Sequence, residues 1–137
     1  MPANPVIHFE IPVHDMARAI GFYEHVFEFA LESADVDGNE MAFFPFSEGA
    51  AGASGALAKG ESCVPGKAGP RIYFSVEDVA ATLQRALAAG GCQHYPVTDV
   101  PGYGRVAEFL DVEGNVIALH SALPEPSTGS MPAPGLD

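Results

Sequence analysis

The chain has 137 residues, 6 Lys and Arg against 18 Asp and Glu, a formal charge of -12 at neutral pH and a hydrophobic share of 47%. That length suits one domain with one core, and an acidic chain without a basic stripe repels a nucleic-acid backbone and an anionic membrane alike, so neither is expected as a partner. There is no unbroken apolar run of about 18 residues and no basic, apolar leader, which predicts a cytoplasmic protein; Cys63 and Cys92 lack metal-ligand spacing and are read as free thiols without a role.

In chain order, Val6 to Val13 alternates Ile7, Phe9, Ile11 and Val13 with His8, Glu10 and Pro12, the period of a strand with one apolar and one polar face. Asp15 is placed to cap a helix whose Met16, Ile20, Tyr23 and Phe27 recur at helical spacing as one buried stripe. Strands are then expected at Ala30 to Asp35, at Met41 to Phe46 after the Asp37-Gly38 turn, and at Ser54 to Lys59 beyond a Gly- and Ala-rich loop. That loop, within Gly49 to Gly60, lacks the ending of a phosphate-binding loop.

The second half repeats the first. His8 to Ile20 lies over Arg71 to Leu83, Met41 to Phe44 over Val106 to Phe109, and Ala56-Leu57 over Ala118-Leu119. Ile72, Phe74 and Val76 form the apolar face, Arg71, Tyr73 and Ser75 the other, and Asp78 caps a helix whose Val79, Leu83 and Ala86 take the places of Met16, Ile20 and Tyr23. Gly90-Gly91 ends that helix, and strands follow at Cys92 to Val97, Arg105 to Leu110 and Val116 to Ser121. Pro101 to Gly104 reads as an interstrand loop. From Pro124 the composition has little to bury, which predicts a disordered tail over 124–137 after a single domain over 1–123, its repeats spanning about 5–60 and 70–121.

The fold expected is α+β: two tandem β-α-β-β-β modules whose eight strands make a curved mixed sheet around a cavity, within one chain or across a dimer. Strand parity makes the lining His8, Glu10, Arg71, Tyr73, Phe43, Ala56, Glu108, Ala118 and His120, with Tyr103 near the mouth.

His8 to Val13 with Asp15, the helix segment Arg18 to Tyr23, and the closing Phe109 to Leu119 with Asp111, Gly114 and Asn115 resemble the vicinal oxygen chelate superfamily of glyoxalase I, extradiol dioxygenases and bleomycin-resistance proteins. The resemblance covers about residues 5–121 and points to the branch of small proteins related to lactoylglutathione lyase. Its metalloenzymes hold a divalent ion with up to four side chains, from the first and last strand of each repeat. Carried over by the resemblance, the first-strand positions fall on His8 and Arg71, and the last-strand positions on or next to Ala56 and Ala118. Arginine has no lone pair for a cation and alanine has no donor, so no cofactor is expected. A divalent metal, if held, would need a rearranged set of His8 with His120 and Glu10 or Glu108.

Two functions stay open on this reading. One is a lyase, isomerase or epimerase working either at a metal rebuilt around His8 or by metal-free chemistry in which His8 or Glu10 moves a proton while Arg71 and Tyr73 hold an oxygen of the substrate. The other is sequestration of a small molecule without catalysis, as in bleomycin-resistance proteins. Phe43, Glu108, His120 and Tyr103 are the expected ligand contacts in either case. Arg71 has a plainer reading too, an internal ion pair with Glu10 or Glu108. A homodimer is expected from the way relatives pair their modules.

Overall fold

In the computed structural model, which describes residues 4–123, the order is β1 (His8–Pro12), α1 (Met16–Phe27), β2 (Glu32–Val36), β3 (Asn39–Phe43), β4 (Ser54–Lys59), β5 (Ile72–Ser75), α2 (Val79–Ala88), β6 (Cys92–Val100), β7 (Gly104–Leu110) and β8 (Val116–Ser121). The strands form two mixed sheets of four, ordered β1-β4-β3-β2 and β5-β8-β7-β6. In each, the first strand runs parallel to the last and the remaining pairs are antiparallel. The tandem β-α-β-β-β reading therefore holds, and the repeat appears again as identical strand order. The eight strands do not form one ladder, because hydrogen bonding stops at β1 and at β5. The expected tail, 124–137, lies outside the described residues.

Local chemistry sets the ends of these elements. Asp15 accepts from the Arg18 amide at 3.1 Å and Asp78 from the Ala81 amide at 3.0 Å, so each helix begins where a carboxylate satisfies an otherwise orphaned N–H. Asp37 and Gly38 both have positive φ, 53° and 82°, the two-residue turn that matches the twist of a hairpin. This turn pairs Val36 with Asn39, so β2 ends and β3 starts at the turn itself, and β3 stops at Phe43, short of the expected Phe46. β6 runs on to Val100, with register shifts between Gln93 and Tyr95 and between Tyr95 and Thr98 that bend it around β7.

Both repeats share one core. Helix α1 buries Met16, Ala19, Phe22, Tyr23 and Val26, while Ile20 and Phe27 sit at its edges half-buried. The buried arc is wider than the expected stripe because α1 packs against its own sheet and also against the second repeat. Phe22 meets Phe109 of β7 at 5.7 Å between ring centroids, and Phe27 stacks on Phe74 of β5 at 4.4 Å. Phe9 of β1 also meets Phe74, edge to face at 5.9 Å. On α2, Val79, Leu83 and Ala86 are buried as read, joined by Thr82, whose hydroxyl donates to the Asp78 carbonyl at 2.9 Å.

A polar knot joins the repeats. Asn115 donates from Nδ2 to the Pro12 carbonyl at 2.9 Å, and Glu113 accepts from the His14 and Asp15 amides at 2.6 and 3.1 Å. The turn between β7 and β8 thereby grips the junction between β1 and α1. Among the described residues, no helix is long and apolar enough to cross a membrane.

Candidate functional site on the outward sheet faces

With the helix-side faces committed to the shared core, the opposite faces carry the polar residues. On the first sheet, parallel pairing sets His8 beside Ser54 and Glu10 beside Ala56, and Phe43 pairs with Ala56 from the other side. His8 Nδ1 lies 2.7 Å from Ser54 Oγ, and its Nε2 lies 3.7 Å from Glu10 Oε2. The Phe43 ring centroid is 6.3 Å from the imidazole. Ala56 is fully buried in a small cluster with Met41 and Ala58, packed by Phe43 and Cys63. Cys63 and Cys92 are both free thiols, as read.

On the second sheet one row crosses all four strands. Tyr73 pairs with Ala118, Ala118 with Glu108, and Glu108 with Tyr95. Arg71 donates from Nη1 to Glu108 Oε2 at 2.9 Å, and His94 Nε2 stands 3.8 Å from the other Glu108 oxygen. Because β8 runs between β5 and β7, the Arg71–Glu108 pair spans that strand where it carries Ala118, a residue with no exposed surface. The Glu108 side chain is 13% exposed and that of Arg71 39%, so the carboxylate is the inner member and the guanidinium the outer one.

Next along β8, His120 places Nε2 2.8 Å from the Tyr103 carbonyl, and the two rings meet at 4.9 Å. Tyr103 in turn stands edge-on to Tyr73 at 6.4 Å. At the far edge, Asp99 pairs with Arg105 through bonds of 2.6 and 3.1 Å, and these hold the Asp99 carboxyl below the usual carboxylate range.

The residues singled out in the sequence thus fall into two groups. His8, Glu10 and Phe43 are together on the first sheet; Arg71, Tyr73, Glu108, His120 and Tyr103 are together on the second. The ion-pair partner of Arg71 is Glu108, not Glu10. Glu10 lines a cavity of about 190 Å³ with Pro12, Ile72 and Asn115 at the junction of the sheets, and Phe43 lines a groove with Phe46 and Ser54.

The rearranged metal set does not assemble within the chain: His8 and Glu10 lie on one sheet, His120 and Glu108 on the other. Among the described residues, no group of three or more His, Cys, Asp or Glu side chains is close enough to hold an ion. Around His8 stand the Ser54 hydroxyl and the Glu10 carboxylate, and beside Ala118 the Glu108 carboxylate is already paired with the Arg71 guanidinium. Ser54 and His94 went unrecognised in the sequence. Ser54 is found only through the β1–β4 register. His94 reaches Glu108 beside a register shift in β6, which strict alternation does not anticipate.

Comparison with known proteins agrees with this architecture. CFP32 of Mycobacterium tuberculosis, provisionally named a glyoxylase, is 35% identical over 54 residues, 39% of this chain and 21% of that protein, so the chain spans about a fifth of its curated relative's length. Among solved structures, TnmS3 of Streptomyces sp. CB03234, an antibiotic binding protein, superposes with a TM-score of 0.65 at 26% identity, covering 89% of this chain and 98% of that one. The fosfomycin resistance protein FosX of Listeria monocytogenes shares the fold at a TM-score of 0.62 and 21% identity, covering 94% and 98%. The family model of the glyoxalase/bleomycin resistance protein/dioxygenase superfamily matches residues 6–119, and with both repeats in place the chain belongs to that superfamily.

Proposed function

We propose that this protein binds a small organic molecule on its outward sheet faces, at a site where the superfamily's metal-ligand positions have been given over to other chemistry. The observation that carries this reading is the Arg71–Glu108 pair spanning β8 at Ala118. Two of the four positions at which relatives hold their ion are thereby occupied by a permanent cation and by a methyl group too small to compete with it. The likeness to an antibiotic binding protein at 26% identity supports binding as the function. As in other members that pair their modules, the working unit is a cytoplasmic homodimer, which light scattering on a size-exclusion column tests directly.

Metal analysis of protein purified without chelator tests the core of the proposal. Substoichiometric zinc, nickel, iron and manganese is expected; stoichiometric metal lost in His8→Ala and His120→Ala overturns it. A thermal-shift screen of small carboxylates, 2-oxoaldehydes and glutathione conjugates then reports binding, because a ligand of the native state raises the unfolding midpoint by mass action.

One observation favours a second reading, metal-free lyase or isomerase chemistry. His8 sits between a hydroxyl at 2.7 Å and a carboxylate at 3.7 Å, an arrangement suited to moving a proton. Turnover of any screened compound that is lost in His8→Ala while binding persists would select it.

A further inference from the structure

We propose that the outward face of the second sheet takes a flat aromatic anion, its ring against Tyr73 and Tyr103 and its acid group on Arg71. This deepens the small-molecule reading above and rests on it.

The chain has four tyrosines, and Tyr23 alone is buried in the core. The other three, Tyr73, Tyr95 and Tyr103, are 47%, 44% and 55% exposed, and all belong to the second sheet or its β6–β7 loop. Tyr73 and Tyr95 end the row that crosses the sheet, three strand spacings apart, about 14 Å. Tyr103 stands between Tyr73 and His120. Such rings offer large, stiff apolar surface at little entropic cost, and a planar ligand recovers more of it than a branched aliphatic one does.

The charge on this face selects the second half of the ligand. Of the five guanidinium donors, one is committed to Glu108, whose other oxygen faces His94. Glu108 therefore steers the guanidinium without saturating it, and the half-exposed fork keeps N–H groups free for a ligand, two residues from Tyr73 in the chain. A carboxylate or phenolate matches that fork, and a neutral or cationic head does not. The chain has only 6 Lys and Arg against 18 Asp and Glu, so a cationic group able to receive an anion is scarce in it. On this face Arg71 is the cation, paired with Glu108, and the imidazoles of His94 and His120 stand close by.

Calorimetry with 2-naphthoate, 2-naphthylmethanol and cyclohexanecarboxylate separates the ring from the charge. Binding of 2-naphthoate at least about tenfold tighter than either control is expected, a ratio typical of one charge-assisted hydrogen bond. Arg71→Gln should remove that preference over the alcohol, Arg71→Lys should restore part of it, and Tyr103→Leu should weaken both aromatic probes about threefold or more. Equal binding of acid and alcohol, or unchanged affinities in Arg71→Gln and Tyr103→Leu, overturns the proposal. So does a change of oligomeric state in Tyr103→Leu with affinity intact, since the face would then contact a second copy. If Arg71→Gln fails to fold, Tyr103→Leu on its exposed loop decides alone. Silence of 2-naphthoate with shifts from other screened compounds refutes this inference only; silence of every compound refutes the small-molecule reading beneath it.

Discussion

The Tyr23 hydroxyl donates to Asp111 Oδ2 at 2.6 Å inside the core, tying the helix of the first repeat to the closing hairpin of the second. Asp111 is 4% exposed, yet its carboxylate is well supplied: Oδ1 accepts from the Glu113 and Asn115 amides at 2.9 Å each, and Oδ2 accepts from Asn115 Nδ2 at 3.1 Å as well as from Tyr23. A buried carboxylate persists only when its lone pairs are answered in this way. Tyr23→Phe removes one donor and leaves the packing volume, so it should destabilise by about 2 kcal/mol, within the range for hydrogen bonds to charged groups. Asp111→Ala orphans several donors at once and should cost more. Urea midpoints of the two variants check the order; a silent Tyr23→Phe would show that the knot does not couple the repeats.

The same contact makes Tyr23 reluctant to ionise. Burial raises its pKa well above the ordinary 10.0, and the nearby charges of Asp111 and Glu113 push the same way. The native state therefore keeps a proton that the unfolded chain gives up, so this contribution to stability is fully present below about pH 10 and declines as pH rises past it. With four tyrosines and no tryptophan, tyrosinate absorbance at 295 nm reads the effect cleanly. At a pH where the unfolded chain is fully ionised and the native fold survives, the native signal should fall short of the unfolded one. Tyr23→Phe should reduce that shortfall.

The doubled strand-helix order is legible in the sequence because apolar alternation in β1 and β5 and the caps Asp15 and Asp78 are local signals. Partition into two sheets is not, since it depends on which strand edges meet. Phe22 escaped the single-stripe reading because its partner, Phe109, lies in the other repeat. In the site, parity placed Arg71 and Glu108 on one face, but a choice between Glu10 and Glu108 as partner required knowing which strands share a sheet. Asp111 and Asn115 stood out only as part of a family resemblance; the structure supplies the physical reason, a buried carboxylate and amide linking the repeats.

Gly104 opens β7 with φ of 140°, and a Cβ there would collide with the His120 imidazole and the Ser121 carbonyl. Gly104→Ala is therefore strained twice, in backbone conformation and in contact. Because one of the clashing atoms is backbone, relaxation must move β8 or expel His120 from its place at the Tyr103 carbonyl. A loss of about 2 kcal/mol is expected, in the usual range for strain at a special backbone position. Thermal unfolding reads the loss, and His120 ring resonances should shift. An unperturbed imidazole in a fully stable variant would refute the close approach.

The Arg71–Glu108 pair is half-exposed only on its cationic side, so Arg71→Met leaves the inner carboxylate without its cation and should cost about 1 to 3 kcal/mol, the range for an orphaned polar group. Ala118→Glu tests the crossing itself. It places a second carboxylate on β8 between Arg71 and Glu108, where the alanine has no exposed surface, and two carboxylates must then share one guanidinium. Destabilisation of about 2 kcal/mol or more is expected from the buried, poorly paired charge. Adding Glu108→Ala to Ala118→Glu removes the competitor and hands Arg71 to the new carboxylate, so the double variant should be more stable than the two single costs sum to, by about 1 kcal/mol or more as befits residues sharing a partner. Strict additivity in urea unfolding would mean that Arg71 does not span β8 at Ala118.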